Sequence, residues 1–570
     1  MPTHSDQPAI LPSRQRETTD RAANMPPELP EANLFSGDTI LCAASAREDL
    51  GWLRDRATAL GAFTGSASAR ELARLANQEA PVLRGSDTDE ARPGLVDYHP
   101  AYHELLAHTY RTETHALPWI SDAPQAQTAR SILFYLWNEL ENGIVGCANL
   151  MSYAAVPLLR SDAAIGERWL PGVLSSQYDS RPLPPADKSG LTVAMAMTEQ
   201  QSGSDVRANT TRALPTGAER EYLLTGRKHF LSAPMSDLIL MTAQTTEGVS
   251  LFVVPRVRPD GTRNHVDLQR LKDKLGNRSN ATAEAELQDA LGYRIGEPGQ
   301  GVRSFIQHMT HYIRMGLATG SAGIMRQAFN QALHFGRHRS AFGKPVAEHA
   351  QMANVLADLA IESEAALLLG LRVARATDAA DHNQREAALN RILVPVAKYW
   401  NCRRAGAVTL EAMECHGGAG YVDDHPIGRL YREAPLNSIW EGTSAMMGLD
   451  MLRALDRSSA CREALFVELD VARGADRAFD QYVGALASEL DQAAADPLPH
   501  ARRLMTMIAL AVQGSLLLRQ SEATVSDGFC ASRLGGRYAH ELGTLAMAGA
   551  PLQTIIDRAA IGEGARPHST

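Results

Sequence analysis

Residues 191–234 read LTVAMAMTEQQSGSDVRANTTRALPTGAEREYLLTGRKHFLSAP. Before them the chain is patterned for helices, with apolar residues at three- and four-residue intervals in ARELARLANQEA and TARSILFYLWNELENGIVGCANLMSYAAVPLL. Within them the texture changes to short β-type runs divided by turns, and LILMTAQT, SLFVVP and ATAEAELQDA carry that texture on to about residue 292. Short strands at close spacing argue for a small sheet or barrel rather than parallel βαβ units. After Gly301 long helical patterns return, and a further helical stretch follows residue 456. The expected architecture is mainly α with a central small β domain. Its parts are an N-terminal arm over 1–38, a helical domain over 39–190, the β domain over 191–298, a helical bundle over 299–455 and an additional helical domain over 456–570.

At 570 residues the chain is too long for one core, so three or four packed units are expected. A formal net charge of -9 gives no whole-protein attraction to nucleic acid or an anionic membrane. The six cysteines lie far apart, with no CxxC pair and no histidine cluster at ligand spacing, which reads as reduced thiols and no metal site. The N-terminal stretch is polar and proline-rich without the apolar core of a signal peptide, and no run suggests a membrane span. A cytoplasmic protein with no membrane partner is the expectation.

Five segments offer chemistry. In Met195–Arg212, Thr198, Ser202, Gly203 and Ser204 fall in one turn, where amides and hydroxyls can bond a heterocycle edge or a phosphate; a plain Ser/Gly hairpin reads the same way. Phe230 and Ser232 share a strand face, offering a stacking surface and a hydrogen bond to one ring, although Phe230 taken alone reads as core. LKDKLGNRSNATAEAELQDA, at 271–290, is a charged turn feeding a strand. Arg339 and Phe342 precede a Gly-Lys-Pro turn, a setting for a phosphate-reaching or merely solvated arginine. In EAMECHGGAGYVDDHPIGRLYREAPLNSIWEGTS, at 411–444, Gly417, Gly418 and Gly420 give a permissive backbone for a dinucleotide. Glu441, between Trp440 and Gly442, is a carboxylate in an apolar wall, which suits proton abstraction; the same position also suits a cap for a helix beginning near Thr443.

In this order and spacing, the five segments resemble the acyl-CoA dehydrogenase family over roughly 190–450. MTEQQSGSD is similar to the family's T-E-P-x-A-G-S-D turn, KHFLS to K-x-W-I-[ST], KLGNRS to L-G-x-R-[GS], and RSAFGKP to R-x-x-F-G-K-P; HGGAGY and IWEGT resemble its C-terminal signature. ANLFSGDTILCAASARE, VDYHPAYHELL and YREAPLNSIWEG resemble the AidB branch, the alkylation-response, isovaleryl-CoA dehydrogenase-like flavoproteins, and extend the likeness over nearly the whole chain.

The resemblance implies an FAD oxidoreductase acting on an acyl-CoA-like small molecule, assembled as a homotetramer, with FAD between β domain and bundle. It implies that Met195, Met197, Thr198, Gly203 and Ser204 line the flavin and that Phe230, Leu231 and Ser232 lie beside its ring. Arg339 and Phe342 would reach FAD across a subunit boundary, with Gly417 and Gly418 near its phosphates and Ile439, Trp440, Gly442 and Thr443 closing over it. Glu441 would take the α-proton while a β-hydride passes to flavin. In isovaleryl-type enzymes the base falls where Ile313 stands here, which leaves Glu441 as the candidate. The departures are Gln200 for the family's proline, Phe230 for its tryptophan and Glu414 for its glutamine. The AidB likeness also implies a link to DNA alkylation response and duplex binding, with Arg453, Arg533 and Arg537 as candidates. Residues 456–570 carry eleven Arg, no Lys and fourteen Asp or Glu, so composition does not demand that role, and a domain for tetramer packing is the alternative. The competing reading of the whole chain is a DNA-protective binding protein with a vestigial redox site. No electron acceptor is legible.

Overall fold

The computed structural model describes residues 24–85, 94–536 and 541–562. The expected arm lies outside the described residues up to residue 23, and so does Arg537. Three long helices, His311–His338, Ala350–Ala379 and Gln384–Cys415, form the bundle. Their Ala- and Leu-rich interiors favour helix, and the Asn383 side chain accepts the Arg385 and Glu386 amides at the start of the third. The helix Ala126–Leu140 is buried on every side and presses against His311–His338. Glycine permits that approach: a Cβ at Gly323 would sit 2.6 Å from the Tyr135 carbonyl oxygen. In the N-terminal part, expected to be wholly helical, Val82–Arg84 and Leu95–Asp97 form a small antiparallel hairpin.

The central β unit closes on itself. Leu238–Thr245 pairs with Gly248–Pro255, which pairs with Thr282–Ile295; that strand pairs with Glu221–Ser232, and Arg212–Pro215 returns to the first strand through Arg212 opposite Gln244. Closure removes free strand edges. Val193–Ala196 and Val266–Leu271 flank the ring; the latter strand falls in a stretch without a sequence signal of its own. The turn 274–280 sits where three units meet. Asn277 donates to Glu433 of the bundle through its amide at 2.7 Å and its side chain at 2.8 Å, and Ser279 donates to Glu141 of the N-terminal helices at 2.5 Å.

The C-terminal helices pack onto the bundle through buried ion pairs. Arg372 joins Glu386 and Glu468. Arg533 bonds Asp358 and Glu362 inside the protein, so it is not available to a nucleic-acid surface as expected from the resemblance. Arg453 is exposed on the helix Ser444–Arg457. The reading that no run suits a membrane also needs correction: the helix Ala501–Gln520 has the length and apolarity for one, but its apolar side packs against the Ala350–Ala379 and Gln384–Cys415 helices. Near the chain's end, Arg558 of the helix Ala550–Ala559 bonds Glu364, and its carbonyl accepts the Thr39 hydroxyl at 3.1 Å. All six cysteines are free, and among the described residues no group of His, Cys, Asp and Glu could hold a metal.

Candidate active site

Glu441 lies in a turn between the helices Pro426–Asn437 and Ser444–Arg457. Its φ is +58° and that of Gly442 is +104°, two consecutive left-handed residues. Such a conformation costs a non-glycine residue about 1–3 kcal/mol and persists only where surroundings impose it. Here two cations impose it: Arg314 Nε donates to the Glu441 carbonyl at 3.1 Å and Lys398 Nζ to the Gly442 carbonyl at 2.5 Å. The following helix has no side-chain cap, so Glu441 is not spent on capping. Burial pushes its carboxyl up, against the pull of Arg314 and Lys398.

The neighbouring wall is built by the strand Glu221–Ser232 and the segment Ile144–Asn149. Phe230 is 47% exposed, so it is a surface and not core; Lys272 Nζ stands 4.7 Å from its ring centroid. Ser232, two residues on, is partly open, while the Leu231 side chain between them is fully buried. Leu231 can therefore offer a ligand only its backbone, which narrows the expected contact; Met197, also buried, is constrained in the same way. Cys147 lies near Ser232 and Asn280 and feels the charges of Lys274 and Glu441, so the strand, the 274–280 turn and the Glu441 turn are neighbours. Burial pushes its thiol up to about 12.

The turn after Val193–Ala196 is organised by Glu199 and Lys228. Glu199 accepts from Lys228 Nζ at 2.8 Å and from the Thr210 and Thr211 amides at 2.7 and 3.2 Å, which fixes the base of the loop carrying Thr198, Gly203 and Ser204. Gly203 and Ser204 stay exposed at its tip, and the Thr198 carbonyl accepts the His229 amide at 2.9 Å. Met195 is partly buried on the strand that feeds the loop. Ile439 is 58% exposed, Trp440 partly buried and Thr443 exposed beside Glu441. A second, separate group forms around the bundle's end. Arg339, Gly417 and Gly418 line one cleft of about 540 Å³ with Phe335 and His416. Phe342, on the adjoining hairpin, is 99% exposed.

Sequence reasoning missed Arg314, Lys398, Cys147, Lys274 and the Glu199–Lys228 pair. The Lys of KHFLS, the Glu of MTEQQ and the Lys274 that opens KLGNRS stand in the quoted motifs, so those three had a signal; Arg314, Lys398 and Cys147 are joined to the site only by folding.

Family models match in three consecutive stretches: the adaptive response protein AidB N-terminal domain over 24–180, the acyl-CoA dehydrogenase middle domain over 194–290 and the acyl-CoA dehydrogenase C-terminal domain over 299–455. The AidB protein of Escherichia coli (strain K12) is 39% identical over 523 residues, spanning 91% of this chain and 95% of that protein. The chain belongs to the acyl-CoA dehydrogenase family, in its AidB branch. It is an acyl-CoA dehydrogenase-type oxidoreductase. Two solved structures show the same fold. Caenorhabditis elegans ACDH-11 in complex with C11-CoA has a TM-score of 0.81 at 24% identity, covering 91% of this chain and 95% of that one. An acyl-CoA dehydrogenase complexed with FAD from Bacillus anthracis has a TM-score of 0.64 at 18% identity, covering 80% and 85%.

Proposed function

We propose that this chain is an FAD-dependent dehydrogenase of acyl-CoA thioesters in which Glu441 is the base that removes the α-proton, and that it serves a response to DNA alkylation. The residues present fit FAD. Phe230 offers an open aromatic face with the Ser232 hydroxyl two residues away, and the buried Trp440 indole N–H has no partner among the described residues. At Gly417 and Gly418 a Cβ would have no atom within 4 Å, so the backbone is open to a close-lying phosphate. When bound, FAD supplies the acceptor for the hydride that leaves the substrate's β-carbon. Relatives support the substrate class, since ACDH-11 is bound to an acyl-CoA.

The observation that carries this reading is the left-handed turn at Glu441, held at both carbonyls by Arg314 and Lys398. A strained turn fixed by two cations places one carboxylate, while burial raises its proton affinity, the direction that suits a base for a C–H proton. As the proton goes to Glu441, the C–H pair becomes the α,β double bond. The exposed Phe342 beside Arg339 supports a homotetramer in which that hairpin meets a second copy of the chain. The competing duplex-binding reading keeps Arg453 but loses Arg533 to the interior, so the redox reading is favoured.

Titrating flavin-loaded protein with butyryl- or isovaleryl-CoA tests this. The flavin absorbance bleaches in the wild type, and Glu441→Gln slows bleaching by about 10²–10⁴-fold with flavin content unchanged. Undiminished bleaching in that variant removes Glu441 from the reaction.

A further inference from the structure

The turn 274–280 contains a lysine to which the reaction gives no role. Lys274 is half-buried, and an ammonium has three protons to donate and no lone pair with which to accept. It meets three acceptors: the Asn280 carbonyl at 2.5 Å, Thr282 Oγ1 at 3.1 Å and Asn277 Oδ1 at 3.3 Å. A hydroxyl that accepts from such a donor must direct its own proton elsewhere. For Thr282 the remaining side-chain partner is Ser232 Oγ at 3.1 Å, directly across the ladder, since Ser232 and Thr282 are register partners.

Two facing hydroxyls have no intrinsic direction, because either can donate. Lys274 supplies the direction. Thr282 donates to Ser232, and the Ser232 proton is left for a third atom. Among the described residues the Ser232 hydroxyl has one side-chain hydrogen bond, that with Thr282, and the Cys147 thiol near it is a weak hydrogen-bonding group. The open side of Ser232 is the one on which Phe230 presents its ring.

We infer that Lys274 is a positioning residue which orients a Lys274–Thr282–Ser232 chain of hydrogen bonds, committing Ser232 as a donor to an acceptor nitrogen or carbonyl of the flavin edge against Phe230. This rests on the FAD reading above. The inference explains why a half-buried lysine and a buried threonine face each other beside a partly open serine. It also separates Ser232, which touches the cofactor, from two residues that act through it.

The test follows the dissociation constant and visible spectrum of FAD titrated into flavin-depleted protein. The variants are Lys274→Met, Thr282→Val, Thr282→Ser, Ser232→Ala and the Lys274→Met/Ser232→Ala double. Misdirecting one donated bond weakens FAD by about three- to tenfold and moves the visible bands. Lys274→Met and Thr282→Val shift both readouts in the direction of Ser232→Ala, and Thr282→Ser restores them. The double variant matches Ser232→Ala alone, because a residue acting through Ser232 then has nothing to act on. A wild-type spectrum and affinity in Lys274→Met, or additive losses in the double variant, overturn the inference. Should Lys274→Met not fold, Thr282→Val carries the same comparison with the charge left in place. Wild-type protein that takes up no FAD overturns the functional reading instead.

Discussion

Replacing Lys228 by Met, and Glu199 by Gln, separates two unequal halves of one buried ion pair. Both side chains are sealed, at 0% and 1% exposure. Breaking a buried pair by removing one partner costs roughly 3–5 kcal/mol. The partners are not equivalent. Lys228 has two acceptors, Glu199 Oε1 at 2.8 Å and the Thr242 carbonyl at 2.7 Å. Glu199 also accepts the Thr210 and Thr211 amides, the Thr211 hydroxyl at 2.5 Å and Gln201 Nε2 at 2.7 Å. Without Lys228 the carboxylate keeps those donors, so Lys228→Met should lie near 3 kcal/mol at the low end of about 3–5. Glu199→Gln leaves the ammonium charged with one carbonyl and presents an amide N–H₂ to donors, so it should lie near the upper end, about 5 kcal/mol.

For 570 residues a loss of 1 kcal/mol lowers the melting point by about 0.8 °C, so thermal melts at pH 7 should fall by roughly 2–3 °C in Lys228→Met and about 4 °C in Glu199→Gln, with early flavin release because the loop carrying Thr198 to Ser204 loses its base. pH gives an independent reading. Burial pushes Glu199 up, but Lys228, the Thr211 hydroxyl and the Thr210 amide hold it at about 2. Its contribution is therefore full above the unfolded carboxylate value of about 4.3 and is lost as pH falls toward the folded one. The wild type should lose stability across that interval and Glu199→Gln should lose less. Melting points within about 1 °C of wild type for both variants, or a larger loss in Lys228→Met, would refute the reasoning.

Lys398→Met removes one of two charges that lower the Glu441 carboxyl, so the acid limb of kcat/KM, which needs Glu441 deprotonated, should move to higher pH; an unmoved limb separates Lys398 from the base. Arg533→Met leaves Asp358 without its cation and Glu362 with Arg404 alone, and urea unfolding should report a loss of about 3–5 kcal/mol while duplex retention on a gel is unchanged. A retention defect at wild-type stability would show that Arg533 faces outward. Gly323→Ala forces a Cβ against the Tyr135 carbonyl oxygen, and its melt should report a loss of about 1–3 kcal/mol; a neutral result would mean that the two helices are not pressed together.

The parts of the site that sequence made legible are those whose chemistry is local. MTEQQSGSD, KHFLS and IWEGT each place their groups within a few residues, so the family likeness of these motifs pointed to Phe230, Ser232 and Glu441 where their spacing alone left core and capping roles open. What holds them could not. Arg314 grips the Glu441 carbonyl across 127 positions, and the Thr282 that faces Ser232 stands 50 residues away. Leu231 was drawn into the cofactor set because its neighbours belong there, but strand alternation turns its side chain inward. Arg533 is a candidate through the family likeness, and neither likeness nor charge reveals whether a helix turns an arginine toward water or toward Asp358. The Ala501–Gln520 helix shows the converse, an apolar stretch whose meaning is set by the helices beside it.

The bond from Thr39 to the Arg558 carbonyl spans 519 positions. On a ribosome adding roughly 5–20 residues per second, the first helix must wait from about half a minute to nearly two minutes for that partner to emerge. Until then the apolar side that Thr39–Arg47 will share with Ala550–Ala559 has only provisional cover, and the newborn chain is open to chaperones over that interval. Shortening the chain before Arg558 would make the delay permanent.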